Sequence, residues 1–240
     1  MNFSTIATTW ALLGPTARVV IATEPERIEL AERIRADNLP YVAAIEVLDL
    51  STGSGYEQKL AELTKDDLLL VLLTVDGFMN RGYRDQFSPF SKPDGFVGKY
   101  IFIRLDIPEA SLLTGLNTDI GKVEAIIQKY RALGSGKWVH VTAESGTDIT
   151  MQVNSQELLP YHAREPGGSA FLPPAEISEE LVHATANGRI TADITVGELR
   201  FGAELIDPLG IVDSKVSITV ENGLVTDITG GAVALSISHH

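Results

Sequence analysis

A leucine- and valine-rich run of eight residues, 68–75, constrains the fold of this chain more than any other feature. Acidic residues bound it on both sides, Asp66 and Asp67 before it and Asp76 after it. The run is too short for a transmembrane helix, which needs about 20 apolar residues. Its length and its continuous apolar character are typical of a strand buried on both faces. We therefore predict a sheet that helices cover on both sides.

The segments around this run alternate between strand and helix patterns. Arg18–Thr23 predicts a strand, and Thr23-Glu24-Pro25-Glu26 has the pattern of a capping box that begins a helix. Further strands are predicted at residues 41–48, 68–75 and 99–105, helices at 56–63 and 120–133, and a long loop at 76–98. This alternation indicates an α/β domain with a doubly wound, mostly parallel sheet. Long irregular loops such as 76–98 often carry function.

The second half of the chain has a different character. Gly134-Ser135-Gly136 ends the last predicted helix, and we place a domain boundary there, which gives an α/β domain at residues 1–135 and a β-rich α+β domain at 136–240. Strands are predicted in the second domain at Trp138–Thr142, 149–153, 189–196, Val216–Glu221 and Leu224–Thr229. Asn222-Gly223 separates the last two and is a strong hairpin signal.

Charge and cysteine content exclude several classes of function. The chain has 19 basic and 32 acidic residues, a net charge of -13, and this charge argues against nucleic acid or a membrane surface as a partner. It has no cysteine, which excludes disulfides, thiolate metal sites and cysteine nucleophiles. The first residues do not have the basic segment of a secretory signal, so we expect a cytoplasmic protein. Nucleotide-binding glycine loops and the serine-hydrolase elbow are also absent from the sequence.

The densest group of potential metal ligands is Glu176, Glu179, Glu180 and His183. If this segment were helical, Glu176, Glu180 and His183 would share one face, and Glu180 with His183 would form a Glu-x-x-His pair. The alternative is a solvated acidic helix face without a ligand. Four other candidates are scattered along the chain, namely His140, Asp148, His162 and Asp193.

A set of short motifs resembles the thermophilic metallopeptidases of the aminopeptidase T family, which share a scaffold with the 2,5-dihydroxypyridine dioxygenases. The motifs are WVHVTAESGTDITMQV at 138–153, Gly167-Gly168, FLPPAEI at 171–177, NGRI at 187–190 and VENGLVTDITGG at 220–231. They occur in the order of the family and at its approximate spacing. The resemblance implies an α/β domain followed by a β-rich metal-binding domain.

The resemblance makes Glu176 a metal ligand, because it matches the acidic residue of the family's Leu-Pro-x-x-Glu stretch. It also implies extended chain after Glu176, which would make Glu179, Glu180 and His183 ordinary surface residues. Ala175 stands where the family has glycine. The other ligands of the family lie downstream of the position of Gly231, and this sequence ends nine residues later, so we expect the second domain to be truncated and its metal site incomplete.

The leading hypothesis is therefore a metal-dependent aminopeptidase, a hydrolase that removes N-terminal residues from peptides, provided that the chain continues beyond residue 240. Two divalent ions, zinc, cobalt or magnesium, about 3.5–4 Å apart would activate a bridging water, and Glu176 would hold one of them. The alternatives are a non-haem iron dioxygenase that opens a hydroxypyridine ring and a noncatalytic scaffold or binding module. The hairpin and the apolar segment 233–237 also predict a homodimer.

Overall fold

The structure is a computed structural model that describes residues 2–52, 56–88, 91–132, 136–158, 162–173, 177–201 and 204–239. The chain divides into two compact units. The first comprises Met1–Tyr130 and Leu158–Ser178, and the second comprises Arg131–Glu157 and Glu179–His240. The chain thus returns to the first unit after leaving it, because a short strand of the segment Leu158–Ser178 adds to the sheet of that unit.

The strands are β1 (Arg18–Thr23), β2 (Ala44–Asp49), β3 (Leu68–Leu72), β4 (Lys99–Ile103), β5 (Trp138–Thr142), β6 (Asp148–Leu158), β7 (Ser169–Leu172), β8 (Ile177–Ala192), β9 (Thr195–Phe201), β10 (Glu204–Ile211), β11 (Val216–Glu221) and β12 (Leu224–Thr229). The α-helices are α1 (Ile28–Asn38), α2 (Tyr56–Ala61), α3 (Val75–Asn80), α4 (Glu109–Leu116), α5 (Ile120–Arg131) and α6 (Ala232–Ser238). These elements confirm the predicted α/β class with a β-rich second part.

The first unit is built on a parallel sheet in the order β2-β1-β3-β4-β7. In the central strand β3, Leu68 and Leu70 pack in one apolar cluster and Leu69 and Val71 in another. Successive side chains of a strand point to opposite faces, so both faces of the sheet are buried as predicted. The strand ends at Leu72, earlier than predicted, because the chain then turns into α3.

Different elements cover the two faces of the parallel sheet. One face packs against α1, α4 and α5 and against the N-terminal turn Ile6–Trp10. The other face packs against α2, α3 and the aromatic side chains of Tyr83, Phe87 and Phe96. The predicted long loop 76–98 is therefore only partly irregular, because it contains most of α3 and the short 3-10 helix Tyr83–Asp85.

The predicted capping box at the end of β1 is wrong. The hydroxyl of Thr23 donates to the carbonyl oxygen of Leu72 at 3.0 Å instead of capping a helix. A 3-10 helix, Pro25–Arg27, comes first, and α1 begins only at Ile28. Glu24 precedes this 3-10 helix, but its side chain is fully buried and does not cap the helix.

The second unit contains a five-stranded sheet in the order β12-β11-β8-β6-β5, and β9 pairs with β10 in a separate ribbon. Pairing is antiparallel between β5 and β6, between β8 and β11, and between β11 and β12. The predicted hairpin is confirmed, with positive φ angles of 52° at Asn222 and 79° at Gly223 as a tight hairpin turn requires. The apolar segment 233–237 lies in α6 rather than continuing the sheet.

None of the helices in the described ranges is both long enough and apolar enough to cross a membrane.

Candidate functional site

The predicted metal ligands do not form a group in the part of the chain that the structure describes. Glu176, the ligand that the resemblance implies, lies outside the described residues. The hypothesis of a helical metal face is wrong, because Glu179, Glu180 and His183 belong to strand β8. Because this segment is a strand, its backbone does not have the helical spacing that a Glu-x-x-His pair requires. His183 is exposed.

The physical reason for the strand is pairing with its neighbours. Residues 188–192 of β8 are in antiparallel register with β11, and β8 also lies next to β6 in the sheet. The segment 182–191 contains the β-branched residues Val182, Thr185, Ile190 and Thr191, which favour a strand. The pairing with neighbouring strands therefore outweighs the helical tendency of the acidic residues at the start of the segment.

Two of the scattered candidates do meet. The ring nitrogen Nε2 of His140 lies 2.7 Å from Oδ1 of Asp148, and both side chains are exposed. Their strands β5 and β6 form a hairpin in which His140 is opposite Thr150, which places Asp148 two residues along on the same face. The Glu144-to-Thr147 turn signal between the predicted strands could have suggested this pair.

Parts of three of the motifs that carry the family resemblance line a groove of about 630 Å³ in the second unit. Its walls come from β6, β8 and β11 and are formed by Asp148, 187–189 and 219–222. The NGRI and VENG motifs meet there because Gly188 is paired with Val220 across the sheet. The side-chain oxygen of Asn187 accepts from the backbone N–H of Asn222 at 2.9 Å, which ties β8 to the turn of the hairpin β11–β12.

Gly188 allows the backbones of β8 and β6 to approach each other closely at this groove. Its φ angle is 133°, and a Cβ atom there would overlap the carbonyl oxygen of Asp148 and lie 2.7 Å from Cα of Ile149. Glycine is therefore needed at this position, because any side chain would overlap the backbone of β6. The groove also holds Arg189 and Glu221, so charges of both signs face a polar ligand or solvent there.

A third polar cluster lies at the carboxyl ends of β1 and β3 in the first unit. β2 lies on one side of β1 in the sheet, and β3 lies on the other side. In α/β proteins, the point where the strand order reverses in this way often binds a ligand. The buried carboxylate of Glu24 accepts from the backbone N–H of Thr74 and lies 3.2 Å from Arg81. Arg81 also pairs with Glu26 at 2.6 Å and with Asp76 at 3.0 Å.

This cluster fixes α3 rather than forming an open site. The hydrogen bond from Arg81 is the main cause that lowers the pKa of Glu26, and the same carboxylate raises the pKa of Arg81. The guanidinium is thus occupied by three carboxylates. Sequence reasoning missed this network, since Glu24 was assigned to a helix cap and Arg81 to a loop.

A metal ion needs several donors at one place. Within the described ranges, no three His, Asp or Glu side chains come together in a group that could hold a metal ion. The pair His140 and Asp148 provides two donors. A zinc or iron site needs at least three protein ligands. The described residues therefore do not fit a metal centre.

Residues 103–240 match the sequence model of the family described as NicX, 2,5-dihydroxypyridine 5,6-dioxygenase, which covers more than half of the chain. The chain belongs to this family. The motifs that resemble aminopeptidase T are thus found in a member of the sister branch. A search of curated proteins found no match.

Two solved structures share the fold. The 2,5-dihydroxypyridine dioxygenase from Pseudomonas putida KT2440 is 15% identical, with a TM-score of 0.61, and the match covers 99% of this chain and 69% of that chain. Wild-type AmpT from Thermus thermophilus is 12% identical, with a TM-score of 0.54, and the match covers 99% of this chain and 72% of that chain. At these identities the likeness shows the fold alone.

Proposed function

We propose that this protein acts in the oxygen-dependent opening of a hydroxylated pyridine ring of the 2,5-dihydroxypyridine class. The observation that carries the proposal is the match of residues 103–240 to the dioxygenase family. The shared fold with the Pseudomonas putida enzyme supports it. The proposed cofactor is iron, which non-haem oxygenases hold with two histidines and one carboxylate. Such a set requires donors in addition to the described ones.

Oxygen consumption tests this proposal directly. The purified protein would be loaded anaerobically with ferrous iron, mixed with 2,5-dihydroxypyridine, and exposed to oxygen in an electrode cell. We expect substrate-dependent oxygen uptake and a product heavier than the substrate by two oxygen atoms in mass spectrometry. Omission of iron is the control. No uptake with iron bound would contradict the proposal.

A second candidate is a metal-dependent aminopeptidase that acts on peptides with zinc, cobalt or magnesium. The feature that favours it is Glu176, at the ligand position of the Leu-Pro-x-x-Glu stretch. If the protein is an aminopeptidase, we expect Glu176→Gln to lower both the metal content and the rate of hydrolysis of an aminoacyl substrate. His183→Gln is the matched control, since His183 is an exposed residue of β8.

The same preparations separate the remaining alternatives. Hydrolysis that Glu176→Gln abolishes would favour the peptidase, and oxygen uptake that Glu176→Gln leaves unchanged would favour the dioxygenase. A protein that binds no divalent ion and shows neither activity would favour the noncatalytic scaffold. Metal content is measured by mass spectrometry in each case.

A further inference from the structure

We propose that the first unit has a binding site for a small aromatic carboxylate, in the cavity between α2 and residues 84–88 and 91–96. The cavity has a volume of about 440 Å³, within the range of small-molecule sites. The described residues that line it lie between Tyr56 and Phe96. They precede the family-matched segment 103–240.

Aromatic side chains form the apolar part of the cavity. Phe87 and Phe96 are buried members of the apolar cluster on this face of the parallel sheet, and Tyr56 packs against that cluster. The rings of Tyr56 and Phe87 are tilted by 54° with centroids 5.8 Å apart. A flat ring entering here meets aromatic edges and faces, which favour another aromatic ring by stacking and edge contacts.

Two cationic side chains border the same cavity. Lys92 is half-buried, and its ammonium donates to the carbonyl oxygen of Gly167 at 2.8 Å and to that of Gly98 at 3.5 Å. An ammonium group has three N–H donors, so one remains for a ligand. None of the ion pairs formed between described residues involves Lys92. Arg84 is paired only loosely with its neighbour Asp85, at 3.6 Å.

The hydroxyl of Tyr56 is neutral. Burial raises the pKa of Tyr56, and the carboxylate of Glu57, which accepts a hydrogen bond from the hydroxyl, raises it further. The phenol therefore stays protonated at neutral pH and adds no negative charge to the cavity. Cationic donors beside an aromatic wall match a ring that carries a carboxylate, because a charge-assisted hydrogen bond is about twice as strong as a neutral one.

The acidic residues on the rim limit the ligand rather than exclude it. Glu57, Asp85 and Asp94 also line the cavity. They oppose a second negative charge on the ligand, so a monocarboxylate is favoured over a dicarboxylate. Benzoate is the simplest compound with the required ring and charge and serves as the probe.

Calorimetric titration tests the site without iron or oxygen, so its outcome is independent of the proposed activity. We expect benzoate to bind at one site and about tenfold more tightly than cyclohexanecarboxylate, which has no aromatic ring, and benzyl alcohol, which has no charge. Arg84→Gln and Lys92→Gln should each weaken benzoate binding about tenfold, since each removes a charged donor. Tyr56→Leu should weaken it by a similar factor.

The matched controls are Arg35→Gln and Tyr41→Leu, which change a half-buried and an exposed residue away from the cavity. Their dissociation constants for benzoate should equal that of the unaltered protein, and thermal unfolding checks that each variant is folded. Benzoate binding no tighter than that of the two comparison compounds would overturn the proposal. An unchanged dissociation constant in Arg84→Gln, Lys92→Gln and Tyr56→Leu would also overturn it.

Discussion

Asp67 joins the amino ends of β1 and β3 in the first unit. Its buried carboxylate accepts hydrogen bonds from the backbone N–H of Arg18 at 2.7 Å and from that of Thr64 at 2.8 Å. The guanidinium of Arg18, at 3.0 Å, and the hydroxyl of Thr64, at 2.9 Å, complete the set. From the sequence, Asp67 can only be placed at the edge of an apolar run. Its hydrogen bonds cannot be predicted, because Arg18 is distant along the chain and Thr64 lies in the turn before β3.

These hydrogen bonds predict a pH-dependent contribution to stability. Burial alone would raise the pKa of Asp67, but the hydrogen bonds from Thr64 and Arg18 outweigh burial and lower the pKa below its ordinary value of 3.8. A carboxyl whose pKa is lower in the folded state than in the unfolded state stabilises the protein above the unfolded value. That contribution is lost as the pH falls through the folded-state pKa.

We expect Asp67→Asn to lower the free energy of unfolding at pH 7 by about 1–3 kcal/mol, because an amide leaves buried donors poorly paired. Asp66→Asn, which changes the exposed neighbour, is the control and should have little effect. Urea unfolding between pH 7 and pH 2 provides the measurement. The difference in the free energy of unfolding between Asp67→Asn and the unaltered protein should become smaller at the acidic end. A difference that stays constant with pH would contradict the lowered pKa of Asp67.

At the scale of elements, continuous apolar runs and strong turn signals predicted the structure well. β1, β3 and β4 begin at the predicted residues, and the hairpin β11–β12 has the predicted bounds. Elements that depend on distant partners were missed. The four residues of β7 form a strand only because β4 provides their hydrogen bonds, and the helix considered after Glu176 gives way to β8 for the same reason.

Two glycines in strands that follow each other along the chain allow a test of close backbone approach. Gly188 in β8 and Gly197 in β9 both have positive φ, at 133° and 70°. A Cβ at Gly197 would meet no atom within 4 Å, whereas one at Gly188 would overlap the backbone of Asp148. Gly197→Ala thus adds backbone strain alone, about 1–2 kcal/mol.

We expect Gly188→Ala to destabilise the protein by about 1–3 kcal/mol more than Gly197→Ala, because overlap is added to strain. Chemical denaturation of both variants measures the difference. Equal losses of stability would show that the approach of Gly188 to β6 is not needed in the fold.

At the scale of the whole molecule, the sequence indicated the two-part architecture but not the chemistry of a complete site. The scaffold could be predicted because the apolar patterns and turn motifs are local. A metal site combines side chains from distant segments, and the ligand that the resemblance implies, Glu176, lies outside the described residues. The two residues that do meet, His140 and Asp148, are brought together by the register of a local hairpin, which provides only two donors.

The edge of the second sheet supports the homodimer that the sequence predicts, which remains a proposal. β12 is an edge strand, and its Leu224 and Val225 are exposed, Val225 to 57%. An edge strand with unpaired backbone groups and apolar side chains can pair with the same edge of a second copy. A lysine on an edge strand opposes such pairing.

We therefore expect a dimer in size-exclusion chromatography with light scattering, and we expect Val225→Lys to shift it to monomer. Val97→Lys is the matched control, because Val97 has the same exposure of 57% but lies in the first unit, outside the strands. It should leave the dimer intact, since it does not alter the β12 edge. A monomer at all protein concentrations would refute the dimer, and a dimer that persists in Val225→Lys would place the contact elsewhere than at β12.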